Sequence, residues 1–143
     1  INVTQTFLPK QVAYNLILKR AWDNLWLTNR GELTVELESK LKTFLNIDNI
    51  IITNNGTIPL QIGLKLLGNC GEIITTPFSY VATTSSIIWE NCKPVFVDIN
   101  SDYLTIDETK IEEAITSQTT AILATHVFGN PCEVIEIEQK NII

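Results

Sequence analysis

Several features are scarce or absent in this chain of 143 residues, and each absence narrows the class of protein. The single histidine, His126, rules out a metal site built from several histidines of this chain, so no metal is expected. No apolar run approaches the roughly 18 residues of a membrane helix. The three widely spaced cysteines form no CxxC pair, and their odd number argues against a disulfide framework. There is no basic cluster, and the net charge of −6 argues against nucleic-acid binding.

The composition that remains is typical of a globular protein with one real core. The apolar fraction is 45%, and the length suffices for one domain. Residues 1–5 lack the charged-then-apolar pattern of a signal peptide. A reduced, cytoplasmic protein that binds no membrane is therefore expected.

The order of apolar segments predicts two parts. Residues 1–49 are expected to form an extended arm that ends at Pro9 and two helices, over 10–26 and from Thr34 onward. Residues 50–143 alternate between strands and helices, which predicts a mainly parallel α/β sheet with helices on both faces. The chain ends as if entering a further strand, so we expect an incomplete domain or missing residues near Gln139. The predicted strands are 50–53, 72–76, 94–98 and 121–126, and the predicted helices are 57–67, 79–90, 107–115 and about 132–139.

The stretch between Thr53 and Thr57 is the first candidate site. It joins a predicted strand to a predicted helix, and the first N–H groups of a helix, with its dipole, attract anions. Gly56 allows a ligand to approach the backbone, Thr57 adds a hydroxyl, and Asn55 precedes both. These residues predict a cup for the phosphate of a cofactor. The alternative is an ordinary corner in which Asn or Thr caps the helix.

A second candidate loop follows the next predicted strand, where Pro77 ends it. Tyr80 lies at the predicted start of a helix, where an aromatic ring can stack on a planar ligand. Phe78 is the weaker candidate because it can pack under the turn beside Pro77, and core packing is the commoner role for both rings. His126 ends a predicted strand and can reach the same edge, although a hydrogen-bonded structural histidine is the commoner case.

Five motifs, in this order and spacing, resemble the N-terminal part of the pyridoxal-phosphate-dependent nucleotide-sugar aminotransferases of the DegT family. The resemblance covers essentially the whole chain and is strongest to members that aminate dTDP-4-oxo-6-deoxyglucose. The motifs are Asn54-Asn55-Gly56-Thr57, the segment 71–83 with Thr76-Pro77-Phe78-Ser79-Tyr80, the segment 94–99 with Pro94-Val95-Phe96-Val97-Asp98, Ala114-Ile115-Thr116, and His126-Val127-Phe128-Gly129-Asn130-Pro131.

The resemblance implies a fold type I aminotransferase, usually a homodimer, with pyridoxal 5′-phosphate as cofactor. By the same resemblance Gly56 and Thr57, beside Asn55, hold the phosphate, and Tyr80 stacks on the pyridine ring. The substrate would be a nucleotide sugar and the amino donor glutamate. The family's Schiff-base lysine and the Asp that pairs with the pyridinium nitrogen have no counterpart in these residues, so no catalytic residue is assigned here.

Three other functions remain open at the level of sequence. A sugar dehydratase of the same family replaces the Schiff-base lysine with histidine, and a non-catalytic regulator keeps the fold and binds a small ligand. Both differ from an aminotransferase in sequence beyond this segment. A dinucleotide-binding domain ranks last, because the residues after the first predicted strand do not fit Gly-x-Gly-x-x-Gly.

Overall fold

The computed structural model describes residues 5–68 and 71–140, so part of the predicted N-terminal arm and the last three residues lie outside the described ranges. The chain divides into two compact units, Ile1–Ile52 and Thr53–Ile143. In the described ranges, no helix is both long enough and apolar enough to pass through a bilayer.

The first unit contains the two helices that the sequence predicts. Helix α1 spans Gln11–Asn24 and helix α2 spans Glu32–Leu45, so α2 begins two residues before the predicted start at Thr34. Asn46, in the left-handed conformation, ends α2 by donating its N–H to the Lys42 carbonyl.

The described residues of the second unit form an α/β domain with three strands. Helix α3 closely matches its prediction, and Gly68 follows it with φ +77°, as expected for a residue just beyond a helix. Asp107 accepts a hydrogen bond from the Thr109 N–H and so caps the next helical segment as predicted. The elements are α3 (Thr57–Leu66), β1 (Glu72–Thr75), α4 (Ala82–Trp89), β2 (Lys93–Phe96), a 3-10 turn (Glu108–Lys110) leading into α5 (Ile111–Ala114), β3 (Thr119–Ile122) and α6 (Val134–Glu138).

The three strands form a parallel sheet in the order β2-β1-β3, so β1 is central. Successive side chains of a strand point to opposite faces, and Ile73 and Ile74 are both fully buried in separate clusters. Ile73 packs with Leu64 of α3 and Ile87 of α4, and Ile74 packs with Ile111 of α5. Helices therefore cover both faces of the sheet, as predicted.

The prediction of a first strand over residues 50–53 is wrong. These residues have no regular secondary structure, and Ile51 is 84% exposed. A strand exists only where a neighbour accepts its backbone hydrogen bonds, and the sheet of the described residues consists of β1, β2 and β3 alone. An apolar run by itself does not supply that neighbour.

The ends of two other strands differ from prediction. Strand β2 runs over 93–96 instead of 94–98, and β3 over 119–122 instead of 121–126. Single hydrogen bonds continue past both strands, from the Val97 N–H to the Thr75 carbonyl and from the Leu123 N–H to the Ile74 carbonyl, each 2.8 Å long. The apolar segments in the sequence are thus longer than the strands with regular hydrogen bonding. His126 therefore lies in a loop after β3 and not at the end of a strand.

A buried carboxylate marks the amino end of the central strand. Glu72 accepts hydrogen bonds from the Lys93 ammonium at 2.8 Å and from the Thr116 hydroxyl at 2.6 Å. Both contacts lower the pKa of Glu72, and the hydrogen bond from Lys93 has the larger effect. Because ligands of parallel sheets bind at the opposite, carboxyl edge, we interpret this pair as structural.

The cysteines differ from the expectation of reduced thiols. Cys92 is disulfide-bonded, whereas Cys132 is free and buried, and burial raises the pKa of its thiol. Disulfide formation depends on which sulfur atoms the tertiary structure brings together, and sequence spacing does not determine this.

Candidate functional site

A cavity of about 420 Å³ opens at the carboxyl ends of β1 and β3, within the second unit. In a parallel sheet this edge is where ligands bind. Most of the walls are apolar, with a few polar groups among them, which is usual for a small-molecule site. The cavity is lined by Pro77, Phe78, Ser79 and Tyr80 from the loop after β1, and by Thr125, His126, Val127 and Phe128 from the loop after β3.

Tyr80 lies where a planar ligand can reach it. Its side chain is 81% exposed at the cavity. The helix predicted over 79–90 is present as α4, but it begins three residues later, at Ala82, so Tyr80 belongs to the preceding loop. The Tyr80 carbonyl accepts the Thr83 N–H at 3.0 Å and so closes the turn that leads into the helix.

Two further aromatic residues form a wall of the cavity. Phe78 and Phe128 lie edge to face, with ring centroids 6.3 Å apart and an interplanar angle of 76°. Phe78 is 41% exposed and lines the cavity, so it is not fully packed under the turn. Phe128 was not selected from the sequence, although an aromatic residue before a glycine in a strand-end loop is a signal that could have identified it.

The loop after β3 has an unusual backbone conformation. Phe128 has φ +55° and Gly129 has φ +85°, both in the left-handed region. A non-glycine residue pays a conformational cost there, which surrounding contacts must offset. Asn130 supplies two such contacts, from its N–H to the Val127 carbonyl and from Nδ2 to the Tyr103 carbonyl, both 2.9 Å long. The loop is therefore held in a defined shape.

His126 is anchored at the start of the same loop. The Cys132 N–H donates to His126 Nδ1 at 2.9 Å, and the Cys132 thiol donates to the Thr125 carbonyl at 3.3 Å. This confirms that the histidine is hydrogen-bonded, as the structural interpretation predicted. The same side chain also lines the cavity.

The start of α3, the predicted phosphate cup, is capped by the protein itself. Asn55 Oδ1 accepts hydrogen bonds from the N–H groups of Thr57 and Ile58, each at 3.0 Å. This is the capped corner that the sequence left open as an alternative. The space beside Gly56 is open, since a Cβ placed there would meet no atom within 4 Å. Residues 54–57 are not among the described residues that line the cavity.

Residues 12–140 match the model of the DegT/DnrJ/EryC1/StrS aminotransferase family. The chain belongs to this family. The match covers nearly all of the chain, including the loops after β1 and β3 and the start of α3.

Individual known proteins resemble the chain in sequence and in fold. The chain is 48% identical over 139 residues to the dTDP-4-amino-4,6-dideoxy-D-glucose transaminase of Escherichia coli. This alignment covers 97% of this chain and 38% of that protein. The crystal structure of NtdA from Bacillus subtilis with bound cofactor PMP superposes with a TM-score of 0.82 at 30% identity, over 98% of this chain and 34% of that one. DesI, solved with its TDP-sugar product, gives a TM-score of 0.79 at 29% identity, over 92% and 33%. The chain thus spans less than two fifths of the length of these relatives.

The described residues fit a phosphorylated planar cofactor in two respects. Tyr80 presents an aromatic ring at an apolar cavity of suitable size. Gly56 leaves open space beside the positive end of α3. The donors of Thr57 and Ile58 become available to a phosphate only if the Asn55 side chain turns away from them.

Proposed function

We propose that the full-length protein is a pyridoxal-phosphate-dependent aminotransferase that moves an amino group, from glutamate, to a keto-deoxysugar nucleotide such as dTDP-4-oxo-6-deoxyglucose. The observation that carries the proposal is the aromatic cavity at the carboxyl edge of the sheet in a chain of this family. The similarity to a dTDP-amino-sugar transaminase supports the class of substrate. A homodimer is part of the same proposal.

Within this segment the residues bind and orient, and no residue is assigned to proton transfer. Tyr80 stacks on the cofactor ring at the cavity. The backbone of Gly56, with Thr57 and the side chain of Asn55, holds the phosphate at the positive end of α3. Bound pyridoxal phosphate would supply the electron sink that exchange of an amino group for a keto oxygen requires.

The test is an intact mass spectrum of the full-length protein after incubation with pyridoxal phosphate and reduction with borohydride. One reduced cofactor per chain is expected. A folded full-length chain that acquires no cofactor would contradict the lysine-dependent reaction. It would favour the dehydratase-type relative or the non-catalytic regulator.

A pair of variants tests the stacking residue. Tyr80→Phe keeps the ring and should bind pyridoxal phosphate nearly as well as the wild type. Tyr80→Ala removes the ring and should weaken binding by about 2- to 10-fold, the effect of one aromatic stacking contact. Both should unfold at the wild-type temperature, because Tyr80 is 81% exposed. Equal affinities for the two variants would contradict stacking by Tyr80.

A further inference from the structure

The hydrogen bond between Cys132 and His126 determines which ring nitrogen of the histidine carries a proton. A backbone N–H can only donate, so His126 Nδ1 must offer its lone pair at the 2.9 Å contact. The neutral ring then carries its proton on Nε2, which acts as a donor. The backbone thus fixes both the orientation and the tautomer of the ring.

Several features of the loop make this arrangement rigid. Pro131 has no N–H, so the Cys132 N–H is the first backbone donor after Asn130. Cys132 is only 4% exposed, and its thiol also bonds to the Thr125 carbonyl. Both ends of the loop are therefore tied together, and the ring of His126 is placed before any ligand arrives.

His126 has a chemical character that the other cavity walls lack. Of the eight described lining residues, it contributes the only side-chain nitrogen. The rest are apolar rings and chains, two aliphatic hydroxyls and the Tyr80 phenol. His126 is exposed in the free protein, where water can accept from its N–H. A ligand that fills the cavity displaces that water, so an acceptor atom on the ligand is favoured because the donor would otherwise be left unpaired.

We propose that His126 is a ligand-binding residue whose Nε2–H donates a hydrogen bond to an oxygen of the molecule that occupies this cavity. The proposal rests on the proposed function, under which that oxygen belongs either to pyridoxal phosphate or to the sugar of the nucleotide substrate. It assigns to His126 a role in recognition in addition to its structural bond with Cys132.

Two substitutions separate these roles, because each keeps one end of the imidazole. In His126→Asn, the amide oxygen takes the place of Nδ1 and still accepts from Cys132, but the distal donor is lost. In His126→Gln, the amide nitrogen takes the place of Nε2 and still donates into the cavity, but the acceptor for Cys132 is lost. Both are made in the full-length protein. The measurements are the affinities for pyridoxal 5′-phosphate and, in the cofactor-loaded protein, for dTDP-4-amino-4,6-dideoxy-D-glucose, together with the midpoint of thermal unfolding.

We expect His126→Asn to unfold near the wild-type temperature and to bind one of the two probes about 3- to 10-fold more weakly, as for the loss of one hydrogen bond. The probe that is affected identifies the source of the oxygen. His126→Gln should bind that probe more tightly than His126→Asn does, yet unfold several degrees lower because the Cys132 N–H loses its acceptor.

Wild-type affinity of His126→Asn for both probes would overturn the proposal. So would a loss of affinity that follows the unfolding temperature in both variants, because that pattern belongs to a purely structural histidine. A wild-type protein that binds no pyridoxal phosphate would refute the proposed function itself, and this inference with it.

Discussion

Asn55 offers a decisive test of where the cofactor phosphate binds. Its side-chain oxygen accepts from the N–H groups of Thr57 and Ile58. Asn55→Asp preserves the shape and both hydrogen bonds but adds a negative charge at the start of α3. Without ligand, this charge should stabilise the helix by about 0.3–1 kcal/mol through its dipole. Asn55→Ala should instead destabilise the protein by about 1 kcal/mol, because the cap is lost.

The effect of Asn55→Asp on cofactor binding has the opposite sign. A phosphate carries nearly two negative charges. At a separation of roughly 6 Å and an effective dielectric constant of about 40–80, its repulsion from the new carboxylate is about 1.5–3 kcal/mol. The affinity for pyridoxal phosphate should therefore fall by about 10- to 100-fold. Asn55→Ala adds no charge and loses only the contact of the amide with the phosphate, about 0.5–1.5 kcal/mol, so that affinity should fall less, by about 2- to 10-fold.

The assay combines thermal unfolding of the ligand-free protein with titration by pyridoxal phosphate and by pyridoxal, which lacks the phosphate. Pyridoxal should bind Asn55→Asp and the wild type equally, because it does not carry the repelled group. If Asn55→Asp retains its stability and binds pyridoxal phosphate as tightly as the wild type, the phosphate does not lie at the start of α3. The assignment of Asn55, Gly56 and Thr57 would then be refuted.

Two further predictions concern the fold that carries the site. Gly71→Ala places a Cβ 2.2 Å from the Gln118 carbonyl oxygen and should cost about 1–3 kcal/mol in urea unfolding. The control is Gly63→Ala in the exposed middle of α3, where the new Cβ meets no atom within 4 Å and the free energy of unfolding should rise by about 0.5–1 kcal/mol. Equal changes in the stability of the two variants would contradict a steric clash at position 71. The pKa of Glu72 is lowered in the folded protein, so its contribution to stability is present above its unfolded pKa and is lost as the pH falls through the folded value. Glu72→Gln should therefore flatten the acid side of the stability profile measured by unfolding from about pH 7 to about pH 3, and an unchanged slope would contradict this.

The features that the sequence predicted correctly depend on near neighbours in the chain. Helix α3 and the glycine after it follow from helical spacing and from the freedom of Gly68 to adopt φ +77°. The cap at Asp107 follows from a carboxylate two residues before the N–H that it accepts. Apolar strands separated by helices led to a parallel sheet covered on both faces, because this is how such strands bury both sides.

Part of the candidate site was also evident from sequence. Tyr80 was selected as an aromatic residue at the predicted start of a helix that could stack on a planar ligand, and it lies at the cavity, in the loop before that helix. The start of α3 was identified as an anion site with a capped corner as the alternative, and the cap is present. Whether a phosphate replaces that cap remains a prediction.

Tertiary structure decided what near neighbours could not. Contacts between distant residues place β1 at the centre of the sheet and leave residues 50–53 without a strand partner. They also bring the loops after β1 and β3 together around one cavity. The tautomer of His126 depends on the N–H of Cys132, which a left-handed turn brings back to it. The sequence alone indicated where most helices lie and which segments are apolar, because these properties reside in side chains and their immediate neighbours. Its assignment of Asn55, Gly56, Thr57 and Tyr80 to a flat, phosphorylated ligand stays a prediction. Only the folded chain decided which of these groups meet, because the energy of burial and of hydrogen bonding is gained through packing partners that lie far apart in sequence.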